Sequence, residues 1–322
     1  MINSPLLSIV VVNYNSKHLL RQCVDAIYTY RPTIPFEVIV IDNRSTDGSG
    51  EFLKESSYSN VRLIVNSRGM GYTYAANQGF ALSKSNLILF LNPDIKVLEH
   101  SIDNMIRHLE EDQSLGAVAG HLHFPDGRFH RYYNRFPTIL SYYLTVFFST
   151  RGASHFGSYR RYYMLDVDFS KPVEVPQPAG CCLIVRKEIF KEGYMNPIFC
   201  IFFSDVDVCK KIYLSGKKIM VFPDCKVLHC HDYTSRSKYG NSYLFSIDLF
   251  IGLANYFRIY SGFTAFLAVK LLFGSTLLLS SLFSIGKWVL GKSRWKQVQD
   301  KFNTIYYFLL HRNILVKRSR WS

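Results

Sequence analysis

The chain has 322 residues, 48% apolar and 16% aromatic, a composition that excludes a disordered protein. Its net charge of +14 is held unevenly: from Arg236 onward 13 Lys and Arg face 2 acids, whereas Met1–Ser235 carries 25 against 22. A near-neutral front with a basic, apolar rear excludes a uniformly basic nucleic-acid coat protein.

In chain order, strands are predicted at Ser8–Asn13, Glu37–Asp42, Val61–Asn66 and Leu87–Leu91. None alternates apolar with polar residues, as expected of strands covered on both faces. Helices are predicted between them at Ser16–Thr29, Ser49–Glu55 and Tyr72–Ser83. This alternation predicts an α/β fold with a doubly wound, mostly parallel sheet. Such sheets bind ligands beyond the carboxyl ends of their strands. Here those ends are Asn13–Asn15, Asp42–Asn43, Asn66–Gly71 and Asn92–Asp94.

The middle, Ala117–Val221, is less regular, and Arg128–Tyr163 is rich in Arg and Tyr without a clear period. Pro176–Arg186 reads as a loop and then a strand, and Asp205–Ser215 as a short helix closed by Gly216. Lys218–Phe222 reads as a strand stopped by a turn at Pro223. Beyond Tyr239 two charge-free stretches, Ile259–Val269 and Leu271–Gly286, flank Lys270. Phe263–Leu290 is long enough to cross a bilayer if Lys270 snorkels. Trp295, Val298, Phe302, Ile305 and Leu309 mark an amphipathic helix with Lys296, Lys301 and Arg312 placed to meet headgroups. The plainer alternative is a helical bundle capping the core.

The seven cysteines are odd in number and form no CxxC pair, which predicts a reduced, cytosolic setting. The opening run lacks a basic region before its apolar stretch and reads as a buried strand, not a signal peptide. Gly69-Met70-Gly71 lacks the third glycine of a dinucleotide fingerprint. No Walker A, GxSxG or HExxH sequence occurs.

Four acidic or histidine clusters remain as candidates. Asp42 ends a strand, where it can bind a base or ribose or else cap the next helix. Asn92-Pro93-Asp94 follows a buried strand, and Asp94 suits a divalent cation on a diphosphate or a plain turn before a helix. Asp205 and Asp207 follow the aromatic run Phe199–Phe203. A carboxylate desolvated by aromatics suits a general base; one at a helix start suits an N-cap. His229-Cys230-His231-Asp232 closes a strand, and its histidines suit either metal ligation or loop hydrogen bonds.

In order, VVNYNS, VIVIDNRSTDGS, GYTYAANQG, LFLNPD, PAGCCLIVRKE, FFSDVDVCKKIYLSGKKIMVFPD and VLHCHDYTS resemble the family 2 glycosyltransferases of the GT-A fold. The likeness is greatest to the bacterial rhamnosyltransferase-like branch and runs from about Ser8 to Ser235. It implies a catalytic domain at 1–238, with a donor half to about 120 and an acceptor half beyond; the basic, apolar composition of 239–322 predicts a membrane-associating helical region there. The resemblance implies nucleotide contacts from Val12, Asn13, Tyr14, Asn15, Asp42, Asn77 and Asn92. Asp94 and His229 would hold Mg²⁺ or Mn²⁺, with Asn92 standing where many relatives have the first acid of the metal motif. Asp205 would be the catalytic base, with Gly180, Cys181 and Asp207 on the acceptor side. Ser204 stands where relatives often have a Glu.

The implied reaction is inverting transfer of a sugar, L-rhamnose from dTDP-rhamnose foremost, to a lipid-linked saccharide in O-antigen-like polysaccharide synthesis. A UDP-hexose or UDP-N-acetylhexosamine donor, or a non-catalytic sugar-nucleotide or glycan-binding relative, are the alternatives. The basic rear implies a peripheral or monotopic place on the cytoplasmic face of the bacterial inner membrane. The apolar interleaving of its cations argues against nucleic acid as a partner.

Overall fold

A computed structural model describes residues 5–56, 58–148, 150–230, 242–291 and 294–312. Two compact units divide the chain: Met1–Met195 with Asp205–Asp232, and Asn196–Ser204 with Tyr233–Ser322. The expected boundary at residue 238 falls outside the described residues. The short insert Asn196–Ser204 was not foreseen as part of the helical unit.

The first unit opens β1 (Leu7–Asn13), α1 (Lys17–Thr29), β2 (Phe36–Asp42), α2 (Ser49–Glu55), β3 (Val61–Val65), α3 (Tyr72–Leu82) and β4 (Leu87–Leu91). The predicted strands and helices are thus found within one residue at nearly every end. β1 is buried at all seven positions, which is why its sequence shows no alternation. Helix α3 lies close against the sheet because residue 79 is glycine. A Cβ there would stand 2.3 Å from Val10 Cγ1.

β5 (Ile95–Val97), α4 (Ser101–Glu111) and β6 (Leu115–His123) follow, then β7 (Tyr133–Asn134) and three short helices, α5 (Ile139–Phe147), α6 (Thr150–Ala153) and α7 (Gly157–Tyr162). The Arg- and Tyr-rich stretch is therefore largely helical. Next come β8 (Val173–Glu174), β9 (Gln177–Pro178), β10 (Cys182–Arg186), α8 (Ser204–Leu214) and β11 (Lys218–His229).

The main sheet has the order β3-β2-β1-β4-β10-β6-β11-β5, with β8 pairing β11. β3, β2, β1 and β4 are parallel, whereas β10 runs antiparallel between β4 and β6. The reversal has a consequence for function. The start of β10 (Cys182, opposite Leu91) lies at the carboxyl end of β4, so Gly180 and Cys181 reach the edge where Asn92–Asp94 emerges.

The predicted stop at Pro223 is corrected. β11 runs on to His229, with its register on β6 shifting between Val221 and Lys226. Proline has no ladder donor, and the irregularity absorbs it. Continuing the strand is what delivers His229, paired with Ile95 of β5, to the site edge.

The second unit contains α9 (Ser242–Ser261), α10 (Phe263–Val289) and α11 (Trp295–Leu309). Asp248 of α9, 1% exposed, accepts the backbone N–H groups of Ile201 (3.2 Å) and Phe202 (2.8 Å). The aromatic run before Asp205 is thereby tied to α9. Lys270 does not snorkel as expected: its ammonium turns inward to the Phe308 carbonyl, over the Phe308 ring at 4.2 Å.

Candidate active site

The edge where β1 and β2 end is a web of short polar bonds. Asn13 donates through Nδ2 to Asp42 Oδ2 (2.8 Å), and the Ser45 N–H donates to Asp42 Oδ1 (2.7 Å). Ser45 Oγ in turn accepts from Asn13 Nδ2 (3.0 Å) and the Asn15 N–H (2.8 Å). Asn15 Oδ1 accepts from the Thr46 N–H (2.7 Å). Asp42 is only 2% exposed and does not cap α2, whose N-cap is Gly48. It organises the loop, and each of its oxygens keeps one lone pair that a ribose or base could use. Val12 and Asn13 are buried, so within Val12–Asn15 it is Tyr14 and Asn15 that offer surface.

Asn77, expected at the nucleotide, also has a structural part. Its Nδ2 donates to the Met195 carbonyl and its Oδ1 accepts the Met195 N–H, both at 2.8 Å. Both ends of the amide hold the backbone just before the insert, and one N–H and one lone pair are left over.

A second group gathers around the end of β4. The Ile95 N–H donates to the Asn92 carbonyl (3.1 Å), a tight turn that leads into β5 and not into a helix. The Asn92 N–H donates to the Cys181 carbonyl (2.8 Å), and the Cys230 N–H to the Asp94 carbonyl (2.9 Å). Backbone from β4, β10 and β11 thus locks Asp94 in place. Its Oδ2 lies 3.4 Å from Nε2 of His229, and its buried Oδ1 has no hydrogen-bond partner among the described residues. Two ligands about 2.1 Å from one ion stand roughly 3.0–3.4 Å apart. The pair therefore fits a shared divalent cation, with an oxygen to spare.

Sequence reasoning missed the residue behind this pair. His229 Nδ1 is 3.3 Å from Nδ1 of His130, one ring donating to the other, and the two rings stack at 5.2 Å. Such a partner fixes the orientation and tautomer of a ligand histidine. His130 is further held by Phe124 (4.2 Å) and Tyr132 (5.7 Å). No pattern in Arg128–Tyr163 marks it. His231 lies outside the described residues.

Asp205 stands in the first turn of α8, beside Gly180. A Cβ on Gly180 would stand 2.9 Å from the Asp205 Cβ, so only glycine allows this approach. Loss of water pushes the Asp205 carboxyl above its ordinary range, partly offset by amide hydrogen bonds from Val206 (2.9 Å), its own N–H and Gly180. Tyr72, also missed, lies in the same region. Its phenol is pushed up first by burial and then by the charges of Asp205, Cys181 and Asp94. Cys181 is buried, and its thiol is pushed up by burial and then by Cys182, Asp94 and Asp205.

Asp207 is a correction. It is fully buried and pairs with Lys211 Nζ at 3.0 Å, so it cannot touch an acceptor directly. Lys211 also donates to the carbonyls of Gly193 (3.3 Å) and Tyr194 (3.1 Å), and Asp207 acts through it on that loop.

The family model described as Glycosyl transferase family 2 matches residues 8–194. The chain is 25% identical over 252 residues to an N-acetylglucosaminyl-diphospho-decaprenol L-rhamnosyltransferase of Mycobacterium tuberculosis, covering 70% of this chain and 76% of that one. It is 24% identical over 244 residues to the O-antigen biosynthesis protein RfbC of Myxococcus xanthus, covering 72% of this chain but 18% of that one. An uncharacterized protein of Sinorhizobium fredii is 24% identical over 249 residues, and the match spans only 25% of its length.

Among solved structures, GalNAc-T7 with UDP, GalNAc and Mn²⁺ matches with a TM-score of 0.57 at 17% identity, over 81% of this chain and 49% of that one. A mannosyltransferase of Pyrobaculum calidifontis with GDP-Man and Mn²⁺ matches with a TM-score of 0.51 at 15% identity, over 99% and 88%. These likenesses are of fold. The family match runs from β1 to the loop that Asn77 and Lys211 hold, and on its strength the chain belongs to glycosyl transferase family 2.

Proposed function

We propose that this chain is an inverting glycosyltransferase that moves L-rhamnose from dTDP-L-rhamnose to a lipid-linked saccharide of a bacterial cell-surface polysaccharide. The observation that carries the transfer chemistry is the desolvated carboxyl of Asp205 packed on Gly180, whose neighbour Cys181 is bonded to Asn92 in the turn that holds Asp94 beside His229. The similarity to a rhamnosyltransferase over 76% of its length supports the sugar and the lipid-linked acceptor.

In this reading Asp205 takes the proton from an acceptor hydroxyl. The acceptor oxygen bonds to the anomeric carbon from the face opposite the leaving group, the bond to the donor diphosphate breaks, and the configuration inverts. Asp94 and His229 would hold Mg²⁺ or Mn²⁺, which when bound neutralises charge on the departing diphosphate. His130 keeps the His229 ring in its ligating orientation. Asp42, Tyr14 and Asn15 bound the nucleotide end. Cys181 and Gly180 line the acceptor side. The basic helical unit brings the enzyme to the cytoplasmic face of the membrane.

The test is a thermal-unfolding panel of sugar nucleotides with and without Mn²⁺, followed by transfer assays on the stabilising donor. Protection by dTDP-rhamnose above UDP-hexoses and UDP-N-acetylhexosamines is expected. Protection by a UDP sugar instead would reassign the donor. Asn92 and Ser204, standing in place of acids, favour a second reading as a sugar-nucleotide-binding relative without catalysis. Binding with neither transfer nor metal-dependent hydrolysis would establish that reading.

A further inference from the structure

Helix α10 carries apolar residues on both its packed and its open side. The side facing its own unit carries Val269, Phe273, Gly274, Ser281 and Ser284. The open side carries Leu267, Leu271, Leu279, Leu282 and Phe283, at 43–72% exposure. Its most apolar 18-residue window has a mean hydropathy of 1.9 and is only 22% buried, so this is not the core helix of a water-soluble bundle. By length and apolarity alone α10 could cross a bilayer.

The pairing with α11 argues against crossing. The two helices run antiparallel and touch from end to end. Trp288 meets Trp295 at 4.8 Å, and Lys301 Nζ reaches Ser284 Oγ (2.7 Å) and Ser280 Oγ (2.9 Å). Lys270 reaches the Phe308 carbonyl at the other end. A crossing α10 would drag α11 through the hydrocarbon with Lys296, Asp300 and Lys301, each costly at that depth. With 15 residues α11 is also only about 22 Å long, short of the roughly 30 Å hydrocarbon core.

α11 has an open apolar edge of its own, Trp295, Phe302, Tyr306 and Leu309. The described residues on either side of the turn, Lys287 to Gly291 and Arg294 to Lys296, carry three cations, no acid and two tryptophans. Tryptophan and cations at one point suit the headgroup level of an anionic leaflet.

We infer that α10 and α11 form a hairpin that lies in one leaflet of an anionic bilayer, with its basic, tryptophan-bearing turn at the headgroups and neither helix crossing. This rests on the membrane attachment stated above and adds its topology.

The full chain, carrying an epitope inserted after Gly291, is added to preformed sealed vesicles of phosphatidylglycerol and phosphatidylcholine in equal parts. Vesicles of phosphatidylcholine alone serve as the comparison. Flotation with the anionic vesicles, with the epitope open to antibody from outside, is expected. An epitope protected until detergent is added would overturn the hairpin while leaving attachment intact. No flotation with either vesicle would overturn attachment itself. Lys287→Ala and Lys296→Ala in the untagged chain should each weaken anionic-vesicle binding about fivefold. Unchanged binding would remove the basic turn from the inference.

Discussion

Asp42 and Asp205 stand near one sheet edge and were read from sequence with the same suspicion, yet the fold treats them oppositely. Both Asp42 oxygens accept strong bonds from Asn13 and Ser45, and the carboxylate is a structural keystone of the loop after β2. Asp205 loses water, gains only nearby amide bonds, and is pushed toward the protonated form. Position at the edge does not separate the two acids. Asp42 is tied to two separate segments, the Asn13 side chain and the Ser45 amide, whereas at Asp205 the loss of water outweighs the three amide bonds it accepts.

The widest separation between them should come from Asp205→Asn. Transfer should fall by about 10²–10⁴, the usual worth of a general base, with nucleotide affinity kept. Near-normal turnover would remove Asp205 from the base role. Stability should move the other way. A folded-state pKa raised above the unfolded value means the ionised carboxylate disfavours the folded state. That residue's stabilising contribution is present below the unfolded pKa and is lost as pH rises through the folded one. The variant should therefore melt higher than the parent at neutral pH, with the gain vanishing in acid. Parent activity should fall on the acid side at a pH above the ordinary carboxylate range. Melting curves and rates over one pH series read both effects.

The buried acids that build should respond in stability instead. Lys211→Met takes the cation from Asp207, whose side chain is 1% exposed, and should cost about 3–5 kcal/mol. The partial exposure of Lys211, 28%, puts the expected value at the lower end. Asp42→Ala strips acceptors from two donors and should cost roughly 2–6 kcal/mol, at about 1–3 kcal/mol per buried group left unmet. Denaturant midpoints at constant slope would measure both. An Asp42→Ala protein of parental stability would return Asp42 to the class of free ligand-binding acids.

The same distinction explains what was readable in advance. Strands such as β1 and β4 were legible because full burial leaves an unbroken apolar run. β6 was not, because Gly116, Ala117 and Gly120 have weak strand propensity and are set by close neighbours, as at Gly120, where a Cβ would meet Cys182 Sγ at 2.8 Å. Asp94, His229 and Asp205 were found as residue types in ordered motifs. That Asp207 and Asn77 work inside the protein was not, since their partners, Lys211 and Met195, are fixed only by three-dimensional packing. His130 was invisible because it lies 99 residues from the His229 ring it orients.

The finest probe acts on one acid alone. Gly180→Ala places a methyl 2.9 Å from the Asp205 Cβ, inside the 3.4 Å at which ordinary contact begins. Something must yield by about half an ångström, and the start of α8, with Asp205 in its first turn, is what stands there. Since a displacement of about 1 Å at a reacting group can cost 10²-fold, a loss of roughly tenfold in turnover is expected. Nucleotide affinity should hold, because the Asn13–Asp42–Ser45 web does not involve Gly180. If affinity fell with turnover, the two edges would be mechanically one and the contrast between their acids would be a matter of degree. If turnover alone fell, the alanine would have separated reactant from builder without altering either carboxylate.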